Sequence, residues 1–193
     1  MPPQATRRTW SGWSRSSRQS RSKRCTARSL PLLPSPPARI LDIGAGTGRD
    51  AARFADFGYD VIAVEPALGL RGRGQALHPS PRITWIDDRL PDLASIRGTF
   101  DVVMLTAVWM HLDPDERARG MARIAALLKS GGLTCLTLRH GPVPEARRMF
   151  DVAGDDTIRL AEAAGLKPLV HLENQVAISG NPGVTWTRLA FRK

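Results

Sequence analysis

The 193-residue sequence has only two cysteines and no apolar run long enough to cross a membrane. Cys25 and Cys135 are too few for a disulfide framework, and no Cys/His spacing matches a zinc site, so no metal is expected. A membrane-spanning helix needs about 18 apolar residues, and the basic start of the chain lacks the apolar stretch of a secretory signal. These absences favour a soluble cytoplasmic protein with one domain-sized core.

Acidic residues are absent from residues 1–39, which hold nine of the 28 Lys and Arg residues. Residues 40–193 therefore contain 19 basic and 18 acidic residues, and nearly all of the net charge of +10 comes from the N-terminal segment. The nearly neutral remainder predicts no surface that follows a phosphate backbone.

The N-terminal segment divides into a Ser- and Arg-rich part, residues 1–29, and a Pro-rich linker, residues 30–37. The first part shows neither the helical nor the strand period of apolar residues, so we expect residues 1–37 to be disordered or extended and residues 38–193 to form the folded domain. Four interpretations stay open. The segment is an extension without a function (including one from a wrongly assigned start or reading frame), a nucleic-acid-binding arm, an organelle transit peptide, or a folded cap.

Residues 40–51 predict a strand, a glycine turn and a helix in succession. Ile40, Leu41 and Ile43 form a short apolar strand, and alanines and a phenylalanine at helical spacing follow the turn. Three glycines occupy alternate positions of the turn: Gly44, Gly46 and Gly48. Glycine allows a sharp turn and a close approach of a ligand to the backbone, so this arrangement is typical of a nucleotide-type cofactor site. A turn that merely links a strand to a helix is the alternative.

The glycine spacing differs from that of dinucleotide-binding proteins. Their fingerprint is G-x-G-x-x-G with a pyrophosphate on the helix N-terminus, whereas here the third glycine comes one residue early. Asp42, two residues before Gly44, would repel a pyrophosphate but would hold a cationic amino group. The pattern therefore favours a cofactor that has an ammonium group and no phosphate, and disfavours a nicotinamide oxidoreductase.

The run Asp-Ile-Gly-Ala-Gly-Thr-Gly at residues 42–48 resembles motif I of class I S-adenosylmethionine-dependent methyltransferases. The resemblance extends over roughly residues 38–192 and implies S-adenosyl-L-methionine as cofactor. It implies that Glu65, at the end of the second strand, binds the ribose, and that Asp87, or else Asp88, binds the adenine amino group. The resemblance also implies that the cofactor binds to five residues at the glycine turn: Asp42, Gly44, Ala45, Gly46 and Gly48.

Strand and helix patterns alternate along the chain and predict an α/β fold. The resemblance implies a Rossmann-like, mostly parallel seven-stranded sheet with helices on both faces and a C-terminal antiparallel hairpin. Asp113 is the expected N-cap of a helix that ends at Gly131, and Asp156 that of a helix over residues 157–164.

Residues that follow the fourth and fifth predicted strands should face the substrate, because ligands bind beyond the carboxyl ends of parallel strands. His111 and His140 are the candidate general bases, since imidazole titrates near neutral pH. Arg139 can hold a carboxylate or phosphate, and Trp109 can stack on adenine or substrate. The alternatives are a packing role for His111 and Trp109, and for Arg139 a surface position or an ion pair with Glu145.

The leading hypothesis is an S-adenosylmethionine-dependent methyltransferase that acts on a small molecule. A nucleic-acid or protein methyltransferase that uses the basic N-terminal tail is the second, and a cofactor-binding member without activity is the third. The sequence contains no indication of the acceptor or of the oligomeric state.

Overall fold

A computed structural model of the chain describes residues 32–176 and 183–193. The predictions for residues 1–31, including the absence of packed structure there, lie outside the described residues. The elements in chain order are β1 (Arg39–Ile43), α1 (Arg49–Asp56), β2 (Asp60–Val64), α2 (Leu68–Leu77), β3 (Ile83–Ile86), β4 (Phe100–Leu105), α3 (Pro114–Leu127), β5 (Leu128–His140), α4 (Gly154–Ala163), β6 (Lys167–Val176) and β7 (Thr185–Arg192), with a short 3-10 turn at Trp109–His111 before α3.

The seven strands form one sheet in the order β3-β2-β1-β4-β5-β7-β6. Strands β1 to β5 run parallel, and β7 is antiparallel to both β5 and β6. The predicted mostly parallel sheet with a C-terminal antiparallel hairpin is therefore confirmed. Because β1 to β5 are parallel, their carboxyl ends meet at one edge of the sheet, where a ligand site is expected.

Both faces of the sheet are covered, which explains why its central strands are apolar without alternation. In β1, Ile40 packs in a cluster with Phe54 of α1, whereas Leu41 and Ile43 pack in a second cluster with α3 and α4. Burial on two faces fixes the position of β1 and hence of the turn that follows it.

The helix α3 begins as predicted but ends earlier. Asp113 accepts a hydrogen bond from the Glu116 N–H (2.8 Å), and Glu116 returns one from the Asp113 N–H (2.8 Å), so the expected capping box is present. The predicted end at Gly131 is wrong: Leu128 already pairs with Phe100 in the sheet. Gly131 and Gly132 lie instead in a turn that forms two backbone hydrogen bonds with Lys193, the residue after β7.

The predicted N-cap of α4 is also wrong. The helix begins at Gly154 with Ala153 as N-cap, and Asp156 lies within the first turn, where a carboxylate interacts favourably with the helix dipole. Gly165 follows the end of the helix with a φ of 80°, as is typical of a glycine after a helix C-terminus.

The described part of the Pro-rich segment contacts the domain. The Tyr59 hydroxyl donates to the Pro34 carbonyl (2.7 Å), and Leu32 and Leu33 pack against the cluster that contains Phe54. Among residues 32–176 and 183–193, no helix has the length and apolar composition that a membrane span requires.

Candidate functional site

The glycine turn leads from the end of β1 to the start of α1. Its three glycines have positive φ values of 69°, 60° and 80°, a conformation that favours glycine over residues with a side chain. The N–H groups of Gly44 and Ala45 both donate to the Val64 carbonyl at the end of β2 (2.8 and 2.9 Å). These bonds hold the turn beside the end of the neighbouring strand.

The surroundings of the turn differ from one glycine to the next. A Cβ atom at Gly44 would collide with Val108, and one at Gly48 would lie 2.6 Å from the Trp85 ring. A Cβ atom at Gly46 would have nothing within 4 Å. The turn is thus closed by side chains at both ends and open at Gly46, where a ligand can approach the backbone.

Asp42 lies on β1 just before this turn and is only 2 % exposed. Its carboxyl accepts a hydrogen bond from the Ala51 N–H, but its Oδ2 atom has no hydrogen-bond partner among the described residues. Burial, together with the nearby charge of Asp50, raises the pKa of the Asp42 carboxyl to about 7, against the opposing effect of Arg49. A buried carboxylate with an unpaired oxygen is complementary to a cationic donor such as an ammonium group.

Ionisation of Asp42 should reduce the stability of the unliganded protein. The pKa of Asp42 is about 7 in the folded state against an ordinary value of 3.8, so its contribution to stability is full below pH 3.8 and is lost as the pH rises toward 7. Relative to Asp42→Asn, the wild type should lose about 4 kcal/mol of unfolding free energy over this interval. Urea denaturation of both proteins from pH 4 to 8 measures it, and a pH-independent difference would contradict the prediction.

Glu65 directly follows β2, on the other side of the turn, and is 6 % exposed. Its Oε2 atom accepts from the Gly46 N–H (2.8 Å) and its Oε1 atom from the Ala67 N–H (2.9 Å). Each carboxylate oxygen can accept a second hydrogen bond. The two backbone contacts fix the carboxylate beside the open face of Gly46, in the arrangement needed for a pair of vicinal hydroxyls.

Asp87 and Asp88 follow β3 and have different environments. One oxygen of Asp87 pairs with Arg71 Nη2 (2.8 Å), and its other oxygen has no partner among the described residues. Both oxygens of Asp88 are engaged, by the N–H groups of Arg89 and Ser95 (2.7 Å each). Asp88 therefore stabilises the loop after β3, whereas Asp87 keeps one carboxylate oxygen that can accept a hydrogen bond from a ligand.

Arg71 is a residue that the sequence analysis missed. Besides its pair with Asp87, its Nη1 donates to the Glu65 carbonyl (2.6 Å), and the side chain is only 12 % exposed. The guanidinium thus connects the two acids that follow β2 and β3. No local sequence pattern predicts this contact, because it depends on the parallel pairing of β2 with β3, which brings Asp87 near α2.

Trp109 lies in the 3-10 turn after β4 and has no exposed surface. It packs in the core with α3, and its indole Nε1 has no acceptor in the described part of the chain. In this conformation Trp109 is a core side chain and presents no face to a ligand, which agrees with the packing alternative.

His111 ends the same 3-10 turn. Its Nδ1 atom lies 2.7 Å from the Arg148 carbonyl, which can only accept, so Nδ1 carries the proton. The Arg148 guanidinium in turn pairs with Asp113 (2.8 Å) and Glu116 (2.9 Å). The loop after β5 is therefore attached to the start of α3, with His111 at the junction.

Arg139 and His140 end β5 and are both partly buried. His140 lies between Asp151, 3.2 Å from Nδ1, and Thr187, whose Oγ1 is 2.8 Å from Nε2. Because a carboxylate can only accept, Nδ1 carries the proton in neutral His140, and the lone pair of Nε2 accepts a hydrogen bond from the Thr187 hydroxyl. The Nη1 atom of Arg139 contacts the Met149 sulfur at 3.7 Å.

The structure thus divides the predicted residues into two groups at the same edge of the sheet. Acidic residues lie on β1 and follow β2 and β3, whereas basic residues follow β4 and end β5. Among the described residues, no group of three His, Cys, Asp or Glu side chains is arranged to hold a metal ion.

Comparison with known proteins places this site in context. A family model described as a methyltransferase domain matches residues 40–132. An uncharacterized methyltransferase of Mycobacterium tuberculosis is 31 % identical over 101 residues, which cover 52 % of this chain and 40 % of that protein. The demethylmenaquinone methyltransferase of Renibacterium salmoninarum is 30 % identical over 97 residues, 50 % of this chain and 39 % of that protein. The chain thus matches about two fifths of the length of these relatives.

The fold also has solved counterparts. The 1,6-didemethyltoxoflavin-N1-methyltransferase of Burkholderia thailandensis, solved with 1,6-didemethyltoxoflavin and S-adenosylhomocysteine, superposes with a TM-score of 0.69. It is 24 % identical, and the match covers 86 % of this chain and 74 % of that one.

Proposed function

We propose that this chain, which belongs to the class I S-adenosylmethionine-dependent methyltransferases, binds S-adenosylmethionine at the turn after β1 and methylates a small-molecule acceptor. The observation that carries the proposal is the unpaired, buried Oδ2 of Asp42, on β1 two residues before the glycine turn. An unpaired buried acceptor is costly, so it indicates a cationic ligand that completes its hydrogen bonds.

The residues at the turn fit the three polar parts of this cofactor. Asp42 would hold the ammonium group, and Glu65 would accept hydrogen bonds from both ribose hydroxyls. Asp87 would accept from the adenine amino group with the oxygen that Arg71 leaves free. Backbone approach at Gly46 would place the cofactor against the turn without a steric clash.

The bound cofactor supplies a methyl group on a positively charged sulfur; the carbon–sulfur bond breaks as the acceptor atom bonds to the methyl carbon, and sulfur keeps the electron pair. The protein contributes position and electrostatics. His140 would take the proton of the acceptor hydroxyl or amine at Nε2, in place of the hydrogen bond that Nε2 accepts from Thr187 in the unliganded protein, while Asp151 keeps the other ring nitrogen protonated. His111 is the second candidate for this role, since its proton is on Nδ1 and its lone pair is on Nε2.

Two facts support a small acceptor. Residues 40–193 are nearly neutral in net charge, which predicts no surface that follows a phosphate backbone. The named relative from Renibacterium and the Burkholderia structure both act, by name, on small molecules. A nucleic-acid or basic-protein acceptor delivered by residues 1–31 is the competing proposal, and deletion of this segment would abolish acceptor binding only in that case.

Calorimetric titration of the full chain tests the cofactor assignment. S-adenosylmethionine and S-adenosylhomocysteine should both bind with one site per chain, and NAD should not bind. A folded protein that binds neither sulfur compound would refute the proposal, and one that binds them without turnover on any acceptor would support a cofactor-binding member without activity.

Replacement of His140 by glutamine should lower kcat by about 100-fold with an acceptor found by screening, and should leave cofactor binding unchanged. Release of S-adenosylhomocysteine measures the rate. His171→Gln is the matched control, because His171 lies on β6 and pairs with Glu173 (3.1 Å). A larger loss in His111→Gln than in His140→Gln would assign the base to His111 instead.

A further inference from the structure

Arg139 has an unusual environment for a partly buried arginine. It lies at the end of β5, directly opposite Trp186 in the antiparallel pair with β7. Its single hydrogen bond within the described part of the chain goes to the Met149 sulfur (3.7 Å), and a thioether is a weak acceptor. Most of the donor capacity of this guanidinium is therefore unused.

Other partly buried arginines of this protein donate hydrogen bonds to oxygen acceptors. Arg71 donates to the Glu65 carbonyl and to Asp87, Arg117 to a main-chain carbonyl, and Arg123 to three main-chain carbonyls. Glu145, the acid nearest in sequence to Arg139, is exposed and forms no pair with it, so the predicted alternative of an ion pair is wrong. A partly buried cation without an oxygen acceptor favours an anionic ligand.

The charge distribution along the sheet edge points in the same direction. The acids on β1 and after β2 and β3 suit a cationic cofactor, and Arg139 and His140 end β5, two strands away from β1. Opposite charges on cofactor and acceptor would attract one another in a partly desolvated site. An anionic acceptor would therefore satisfy Arg139 and also be drawn toward the sulfonium.

We propose that Arg139 binds a carboxylate or phosphate group of the acceptor and so holds the acceptor at the carboxyl end of β5. The inference rests on the proposed function, because methyl transfer defines the acceptor pocket. A planar guanidinium binds either anion through two parallel hydrogen bonds. Trp186, opposite Arg139, provides an apolar surface for the rest of the molecule.

The test uses the full chain loaded with S-adenosylhomocysteine and three probes: benzoate, its neutral analogue benzamide, and inorganic phosphate. Calorimetry should show that benzoate or phosphate binds, and that benzamide binds at least about tenfold more weakly than benzoate. Arg139→Gln should weaken anion binding at least about tenfold. Arg147→Gln, which removes the same charge from an exposed position of the next loop, should leave it unchanged.

Each result supports or overturns the inference. Preference for benzoate supports a carboxylate acceptor, and preference for phosphate supports a phosphorylated one. Failure of both anions to bind more tightly than benzamide, or anion binding that Arg139→Gln leaves unchanged, overturns it. S-adenosylhomocysteine affinity is measured in the same samples. If the wild type does not bind S-adenosylhomocysteine, the proposed function is refuted as well. If it binds S-adenosylhomocysteine but shows no anion binding that depends on Arg139, only the anionic acceptor is refuted.

Discussion

Replacement of Glu65 by alanine is expected to weaken S-adenosylmethionine binding by at least about 100-fold, because two charge-assisted hydrogen bonds to the ribose are lost. The same change leaves the N–H groups of Gly46 and Ala67 without their carboxylate acceptor, so the turn itself should lose order. Calorimetric titration with S-adenosylmethionine measures the effect.

Two controls separate loss of contact from loss of fold. Glu162→Ala removes an exposed acid of α4 and should bind the cofactor as the wild type does. Glu65→Gln keeps one carbonyl oxygen in place and should fall between the wild type and Glu65→Ala. Undiminished binding by a folded Glu65→Ala protein would remove Glu65 from the cofactor site.

Replacement of Asp42 by asparagine is expected to weaken S-adenosylmethionine binding by about 100-fold at pH 8, because the ammonium group loses its buried counter-charge. The wild-type affinity should itself fall as the pH drops below 7, by about tenfold per pH unit, because the pKa of Asp42 is about 7 and binding requires the ionised form. Asp42→Asn should show no such dependence.

Proton release gives an independent measurement of the same coupling. At pH 7 roughly half of the Asp42 carboxyls are protonated, so cofactor binding should release about half a proton per chain. Titrations in buffers that differ in ionisation enthalpy count this proton. Asp56→Asn, at an exposed position of α1, should release as much as the wild type, and equal release by Asp42→Asn would show that another group is responsible.

The opposite effects of Asp42→Asn on stability and on binding have one cause. The buried carboxylate lacks water and lacks a partner for Oδ2, so its charge is unfavourable until a cation binds. Removing the charge therefore stabilises the unliganded protein and, at the same time, weakens the binding of the cationic ligand. Such a trade-off is expected where a site is organised for a ligand rather than for folding.

The cofactor half of the site was predictable from the sequence because its parts are local. The glycines and Asp42 lie within seven residues, and Glu65 directly follows the next strand of a regular strand–helix–strand unit. The conformation of each glycine and the parallel pairing of β1 with β2 follow from this short-range pattern.

Contacts between distant segments were not predictable. Arg71 meets Asp87 because β3 pairs with β2, and His140 meets Thr187 because β7 inserts between β5 and β6. The end of α3 was misjudged for a similar reason. Gly131 looks like a helix terminator in sequence, but sheet pairing of Leu128 with Phe100 ends the helix first.

By itself the sequence determined the fold class, the glycine turn and the acids that face it, since hydrophobic periodicity and turn chemistry act over a few residues. Tertiary structure alone decided which donors and acceptors remain unpaired. Packing between segments far apart in the chain decides whether Asp42 keeps a free oxygen, whether Arg139 has a carboxylate partner and whether Trp109 reaches the surface. Those unpaired groups are the ones that indicate a cationic cofactor and an anionic acceptor.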